Sequence, residues 1–384
     1  MRFREQIVEA LQDLETQGLL RRPRHVESAQ GPEIQLDGKK VLCFCSNNYL
    51  GLADHPDLAA AARVHEGFGA AASRLITGTM SAHHETEHAL AGFLGSPAAV
   101  LFANGYAANV GTIQALVGPG DIIFSDALNH ASLIDGCRLS RANVRVYRHR
   151  DVAHLRELME SECNDRRRAL IVTDSLFSMD GVAAPLAELA ALATTHGAGL
   201  MVDEAHALGV FGPEGRGLCA AQGLEPDVLI GTLGKSFGGA GAFVGASGEV
   251  VSLIRNRARS YVYSTAPPPS IARAAHAAIA LVRDASASRA RLLAHAATLR
   301  TELSRLGFEV LPGESQIIPI MIGSNQRTMA LSAALLDEGI FVQGIRPPTV
   351  AEGTARLRLT PMATHTDAHI DRAVAAFARL RPTR

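Results

Sequence analysis

DVLIGTLGKSFGGAG, Asp227 to Gly241, is the stretch on which the reading of the whole chain turns. Its apolar run, Val228, Leu229 and Ile230, has the length and the flanking turn signals of a buried strand. The run leads into small residues that hold one lysine, Lys235, between Gly234 and Ser236, with Gly238 and Gly239 beyond. Small residues after a buried strand let backbone or a bound group approach closely. An ammonium at such a strand's mouth must be solvated, paired or used. GKS suggests a phosphate-cradling P-loop, but that motif needs glycine six residues before the lysine, and Leu229 stands there. A lysine acting as a covalent nucleophile is then the sharper alternative to a plain surface turn.

Upstream, the same strand-then-polar pattern repeats. IIFSDALNHAS gives a strand ending at Asp126 and a helix start carrying His130; ALIVTD ends in Asp174, with Ser178 and Asp180 in the next loop; GLMVDEAH ends in Asp203, Glu204 and His206. Strands that read as continuous apolar runs, alternating with helical stretches, indicate a mostly parallel α/β sheet covered on both faces. Ligands gather beyond the carboxyl ends of such strands. Asp126 with His130, Asp174 with Ser178, Asp203 with His206, and Thr232 with Lys235 are therefore expected to converge, in a setting where pKa values shift. VLFANGYAANVG adds a strand, a turn at Asn104, Gly105 and Tyr106, and a helix start, an arrangement that binds anions through free N–H groups. It lacks GxGxxG, so a phosphate is implied more readily than a dinucleotide.

Towards the N-terminus, Phe3, Ile7, Leu11 and Leu14 recur at helical spacing and predict an amphipathic opening helix that ends near Gly18, before Arg21, Arg22 and Arg24. SNNYLGL, Ser46 to Leu52, sets two amides beside a tyrosine. Each amide has donors and an acceptor to satisfy, so Asn47 is a candidate polar contact, with a turn role as the alternative. HETEH, His84 to His88, matches the zinc-protease pattern in letters, and histidines four apart share a helix face. No downstream ligand accompanies it, so no metal is expected. The basic run Arg166 to Arg168 reads as the solvated cap of a connection.

Beyond the large sheet, YSTAPPPS breaks the helical pattern with three prolines. The remainder mixes short strands with helices near 326–337 and 366–380, a smaller α+β domain after a long alanine-rich helix. The expected division is an N-terminal arm at 1–40, a large domain at 41–285 and a small domain at 286–384. In RLRLTP, alternation sets Arg356 and Arg358 on one face, where at least one can hold a carboxylate; a solvated edge strand is the alternative.

Composition narrows the function classes. The 384 residues carry 37 basic and 38 acidic side chains, so no single-sign field favours nucleic acid. The N-terminal helix carries acids through its apolar positions, unlike a secretory segment. No apolar run approaches the roughly 18 residues of a membrane span. Five scattered cysteines, with Cys43 and Cys45 on one strand face, suggest thiols in a reducing compartment, the cytoplasm.

The set SNNYLGL, GYAANVG, NHAS, DSLFSMDG, VDEAHALGVFGPEGRG, TLGKSFGG, YSTAPPP and IRPPTV…GTARLRLTP, in this order over nearly the whole chain, resembles the pyridoxal-phosphate-dependent α-oxoamine synthases of fold type I. The resemblance implies a seven-stranded-type sheet in the large domain and a homodimer that shares its active sites. It implies that Lys235 forms the Schiff base with pyridoxal 5'-phosphate, that Asp203 pairs with the pyridine nitrogen, that His206 and Ser178 lie near the ring oxygen, and that His130 stacks on the ring. Thr232 and the backbone of Gly105 and Tyr106 would lie at the phosphate, Thr265 at a neighbouring subunit's phosphate. Asn47 and Arg358 would hold the amino acid carboxylate, and Arg21 would lie near the acyl substrate. The IRPPTV and GTARLRLT segments are similar to those of the branch that condenses L-alanine with a pimeloyl thioester, on coenzyme A or an acyl carrier protein. Branches using glycine or serine with other acyl thioesters are the alternatives, because one methyl group discriminates by only about 1–3 kcal/mol. Two positions depart from the family pattern: Thr86 precedes Glu87 where leucine is usual, and Asp174 stands where glutamate is frequent.

Overall fold

The computed structural model describes residues 2–64, 67–163 and 168–381. Arg166 and Arg167 of the basic run lie outside the described residues. Contacts divide the described residues into two compact units, one made of the chain through Asn47, Met179–Gly181 and the chain from Ala290 on, the other of Asn48–Ser178 and Val182–Arg289.

In the first unit, the opening helix Phe3–Thr16 buries none of its residues, and Phe3, Ile7, Leu11 and Leu14 are exposed. β1 (Glu33–Leu36) and β2 (Lys39–Cys43) then pair antiparallel across Asp37 and Gly38, both at positive φ.

The second unit holds the large sheet. Its strands are β3 (Ala98–Phe102), β4 (Ile122–Asp126), β5 (Asn143–Tyr147), β6 (Ala169–Asp174), β7 (Gly199–Asp203), β8 (Val228–Thr232) and β9 (Ala242–Ala246). Their order is β3-β9-β8-β7-β6-β4-β5. β9 runs antiparallel to both neighbours and the other pairings are parallel, so the sheet is the mostly parallel, seven-stranded one expected. β4 and β9 are buried at every residue because both faces are covered. Ile123 packs with Ile113, Leu133 and Ile254 on one side, while Ile122 and Phe124 pack with Leu155, Met159 and Leu189 on the other, the strand period of two. Each fully buried side chain of this kind contributes about 1.5–3 kcal/mol. From β6 the chain steps outward to β7 and β8, and from β4 it steps the other way to β5. The reversal between β4 and β6 opens the crevice where doubly wound sheets bind ligands.

The Lys235 segment is the loop of a hairpin joining β8 to the antiparallel β9. Leu233 N–H donates to Gly241 O (3.0 Å), Gly239 N–H to Leu233 O (2.8 Å) and Gly238 N–H to Lys235 O (3.0 Å). Gly238 has φ 70°, and a Cβ there would sit 2.4 Å from the Leu52 carbonyl carbon, so both conformation and space require glycine.

The C-terminal part of the first unit adds β10 (Glu309–Val310), β11 (Ile318–Gly323), β12 (Ile340–Phe341), β13 (Gln343–Ile345) and β14 (Ala355–Leu359). β10, β11, β14 and β13 form an antiparallel sheet in that order, and β12 pairs parallel with β2. Leu357 and Leu359 join the core with Leu299, Leu303, Leu335 and Phe377. β14 is an internal strand, so Arg356 and Arg358 are buried rather than on a solvated edge.

HETEH lies in the helix Ser81–Leu94 of the second unit, where His84 and His88 are exposed and Glu87 is buried. Glu87 accepts from Leu101 N–H (2.8 Å) and pairs with Arg74 (2.9 Å) and Arg255 (3.0 Å). Thr86 Oγ1 donates to Ala82 O and lies 2.8 Å from Ala272 O, which accounts for a hydroxyl at that position. Among the described residues no group of three or more potential metal ligands comes together, and no helix is long and apolar enough to cross a membrane.

Candidate active site

In the second unit, Lys235 Nζ lies 2.8 Å from His206 Nε2, and His206 Nδ1 lies 2.7 Å from Tyr49 Oη. His206 is 6% exposed and Tyr49 fully buried. An ammonium donating to Nε2 leaves the ring proton on Nδ1, where it reaches the tyrosine oxygen.

At the end of β7, Asp203 is buried. Its Oδ1 accepts from Ala205 N–H (2.8 Å) and its Oδ2 from Asn109 Nδ2 (2.7 Å). Asn109 also donates to Ser132 Oγ (2.9 Å), which lies 2.7 Å from His130 Nδ1. His130 caps the helix Ala131–Ser140, its Nδ1 accepting from Ser132 N–H, while its own N–H donates to Asp174 Oδ2 (2.8 Å). Burial lowers the His130 pKa, Asp203 opposes that and Lys235 adds to it. Burial, then the Asp203 charge, hold the Asp174 carboxyl well above its usual range.

At the start of the helix Gly105–Leu116, Asn104 Oδ1 accepts from Ala107 N–H and Asn104 O from Ala108 N–H. The N–H groups of Gly105 and Tyr106 precede those bonds, where a helix start offers donors to an anion. A Cβ at Gly105 would meet nothing within 4 Å, so that side is open. Tyr106 donates its hydroxyl to Asp135. Thr232 Oγ1 lies at the base of the lysine loop, accepting from Gly234 N–H (3.2 Å) and reaching Gly241 O. Ser178 is half-buried, and Thr265 is exposed on an isolated antiparallel bridge to Ser73.

The first unit holds the remaining candidates. Arg358, 6% exposed, donates from Nη1 to Asn47 Oδ1 (3.1 Å), whereas Arg356 is committed to Asp180. Arg21 lines a cavity of about 1180 Å³ with Leu20, Met329, Phe341, Ile345 and Arg346. Arg21 donates to Pro347 O (3.3 Å) and Thr349 Oγ1 (3.4 Å). Arg346, buried, donates to Leu20 O (2.9 Å) and has an Nε without a partner among the described residues. Burial, then the charge of Arg21, lower its pKa. Arg22 and Arg24 also line it but are paired with Glu15 and Asp37, whereas among the described residues neither Arg21 nor Arg346 pairs with a carboxylate, so the cavity presents these two guanidiniums amid mixed polar and apolar walls.

Tyr49, Asn109, Ser132 and Arg346 escape the sequence reading as site residues. Tyr49 and Arg346 lie inside the quoted segments SNNYLGL and IRPPTV. Asn109 and Ser132 are small polar residues in helical stretches, with nothing local to mark them.

The profile of the aminotransferase class I and II family matches residues 39–377. A Geobacter metallireducens protein named 8-amino-7-oxononanoate synthase is 51% identical over 379 residues, covering 97% of each chain. Serine palmitoyltransferase from S. paucimobilis, solved with a pyridoxal phosphate–myriocin aldimine, is similar with a TM-score of 0.92 at 34% identity, covering 98% of this chain and 96% of that one. The 8-amino-7-oxononanoate synthase of Francisella tularensis gives a TM-score of 0.76 at 29% identity, covering 88% and 97%.

Proposed function

The chain belongs to the class I and class II aminotransferase family, and we propose that it condenses L-alanine with a pimeloyl thioester to give 8-amino-7-oxononanoate for biotin synthesis. A carbon–carbon bond forms between the alanine α-carbon and the acyl carbonyl, the thiol leaves, the alanine carboxylate departs as carbon dioxide, and a proton returns to the carbon. The observation that carries the reading is Lys235 held by His206 beside the buried Asp203 at adjacent strand ends. The choice of acyl and amino partner follows the 51% identity to the G. metallireducens relative, against 34% to the serine palmitoyltransferase.

Pyridoxal 5'-phosphate is the cofactor, and when bound it supplies an electron sink for negative charge at the amino acid's α-carbon. The donor set fits it. An amine at Lys235 suits the aldehyde, the Asp203 carboxylate suits a cationic ring nitrogen, and the helix start at Gly105 and Tyr106, with Thr232, suits the phosphate. His206 and Ser178 are assigned to the ring oxygen and His130 to the ring face. Lys235 takes the α-proton and later returns one, as general base and acid. Asn47 and Arg358 are assigned to the amino acid carboxylate. Arg21, joined by Arg346, is assigned to the free carboxylate of the acyl chain, which two guanidiniums without a carboxylate partner among the described residues suit, with Leu20, Met329, Phe341 and Ile345 beside the chain.

The thioester is carried by coenzyme A or an acyl carrier protein. The reading includes a homodimer with shared active sites, in which Thr265 serves the phosphate of the partner subunit. In its favour, Ile76 and Tyr263, close to the Ser73–Thr265 bridge in sequence, are 76% and 73% exposed, apolar surface that a partner subunit would cover. The reading also places the enzyme in the cytoplasm, in keeping with five cysteines that no disulfide joins.

The test is product analysis of the cofactor-loaded enzyme with alanine, glycine and serine, each against pimeloyl, acetyl, succinyl and palmitoyl thioesters. Alanine with pimeloyl is expected to dominate. A preference for serine with palmitoyl or glycine with acetyl overturns the substrate assignment. Turnover by a Lys235→Ala variant overturns the role of the lysine.

A further inference from the structure

Asn109 lies between two groups that the cofactor reading uses separately. It sits in the apolar helix Gly105–Leu116 and is 1% exposed. Both N–H bonds of its amide are committed, one to Asp203 Oδ2 at 2.7 Å and one to Ser132 Oγ at 2.9 Å. Ser132 Oγ, having accepted that bond, has its own hydrogen to give, and His130 Nδ1 lies 2.7 Å away. Ser132 N–H also points at that nitrogen at 3.2 Å, so Nδ1 is an acceptor and the neutral ring carries its proton on Nε2. One amide thus joins the carboxylate at the end of β7 to the imidazole that follows β4. Packing alone does not account for it: Asn109 Oδ1 is buried without a partner among the described residues, a cost that an apolar side chain of similar volume would avoid.

We propose that Asn109 and Ser132 are positioning residues for pyridoxal phosphate, holding the Asp203 carboxylate and the Nε2–H form of His130 in one fixed relation before the cofactor arrives. The proposal rests on the reading of Asp203 and His130 as cofactor residues. Groups oriented in advance need no reorganisation on binding, so removing the amide lowers affinity even with every contacting residue in place. Lys235 acts electrostatically on His130, Asp174 feels the charge of Asp203, and Asp126 acts in turn on Asp174; all three stay constant across the variants below.

Two readouts test it without turnover. The first is pyridoxal phosphate affinity, from fluorescence titration of the apoenzyme. Asn109→Ala is expected to weaken it about tenfold or more, the scale of one hydrogen bond to a charged group. Asn109→Asp is expected to weaken it further at neutral pH and to recover as pH falls, because a protonated carboxyl again donates to Asp203. The second is ¹⁵N NMR of histidine-labelled apoenzyme, with the His130 signals identified by His130→Gln. Ser132→Ala, which leaves only the longer Ser132 backbone N–H contact at Nδ1 (3.2 Å), is expected to shift the tautomer balance part of the way toward the Nδ1–H form, and Ser132→Thr to restore the wild-type pattern. Wild-type affinity in both Asn109 variants, equal weakening in both at every pH, or an unmoved tautomer in Ser132→Ala each overturns the proposal. Should the Asn109 variants fail to fold, the Ser132 pair decides it. A wild-type apoenzyme that does not bind pyridoxal phosphate at all instead fells the cofactor reading, and the proposal with it.

Discussion

His206 bridges Tyr49 and Lys235, its Nδ1 2.7 Å from the tyrosine Oη and its Nε2 2.8 Å from the lysine Nζ. An imidazole gripped at both nitrogens cannot turn, so the direction in which it meets the lysine amine is set by a residue 157 positions away. Tyr49→Phe keeps the ring and removes the grip, so that the buried Nδ1 loses its tyrosine partner at a cost of about 1–3 kcal/mol. The expected outcome is a kcat reduced roughly tenfold, the scale of 1.4 kcal/mol on the barrier, with cofactor occupancy unchanged. Steady-state kinetics beside the cofactor absorbance of the purified protein decide it, and an unchanged kcat would show that the grip plays no part in the lysine's chemistry.

Glu87 supplies a test away from the chemistry. It accepts from Leu101 N–H and faces Arg74 and Arg255, and the Arg74 side chain is only 3% exposed. Removing one partner of a buried ion pair leaves an uncompensated charge, so Glu87→Ala is expected to lose roughly 3–5 kcal/mol of stability. Glu87→Gln, which keeps an acceptor for Leu101, is expected to lose less. Urea denaturation measures both, and turnover per folded molecule is expected to stay at the wild-type level. A fall in melting temperature on adding EDTA would instead return HETEH to the metal reading.

These residues also show where sequence is legible. The strands of the large sheet declare themselves because both of their faces are covered, which makes continuous apolar runs, and the polar residues that end them are the ones at the crevice. Lys235 stands out because a charge in a turn of glycines has no packing reason to be there. Asn109 does not, because its meaning lies in Asp203, 94 residues on. The same limit hides the pairing of β2 with β12, Leu42 beside Ile340, since parallel pairing between distant segments leaves no local period. The antiparallel turn from β8 to β9 is likewise silent, because a strand buried on both faces reads the same in either direction.

Arg346 tests the acyl assignment. Its guanidinium shares a cavity with Arg21, without a carboxylate partner among the described residues and with a buried Nε left over. If the pair holds the free carboxylate of the acyl chain, Arg346→Met, which keeps the side-chain bulk, raises KM for the pimeloyl thioester about tenfold to a hundredfold, as loss of a charge-assisted hydrogen bond does. KM for alanine is expected to hold. Arg346→Lys is expected to recover only part of the loss, because the ammonium lacks the planar fork. Equal changes in both KM values would place Arg346 in the folding of the unit rather than at the substrate.

Asp174 gives the stability a pH dependence of definite sign. Burial and the neighbouring Asp203 hold its folded-state pKa well above the ordinary 3.8, against the opposing pull of the His130 N–H and Lys235. The folded protein therefore keeps a proton that the unfolded chain releases. Stability from that proton is fully present below pH 3.8 and drains away as pH rises from there through the folded pKa, by up to about 1.4 kcal/mol per pH unit. The substitution Asp174→Asn removes the titration yet keeps an oxygen to accept the His130 N–H now bonded at 2.8 Å. The variant is thus expected to gain on wild type as pH rises above the ordinary 3.8 and until it passes the folded pKa. The readout is the difference in urea midpoint of the two apoenzymes at each pH. A difference that stays flat would mean that Asp174 is ionised throughout that range, and that Lys235 and the His130 N–H outweigh its burial.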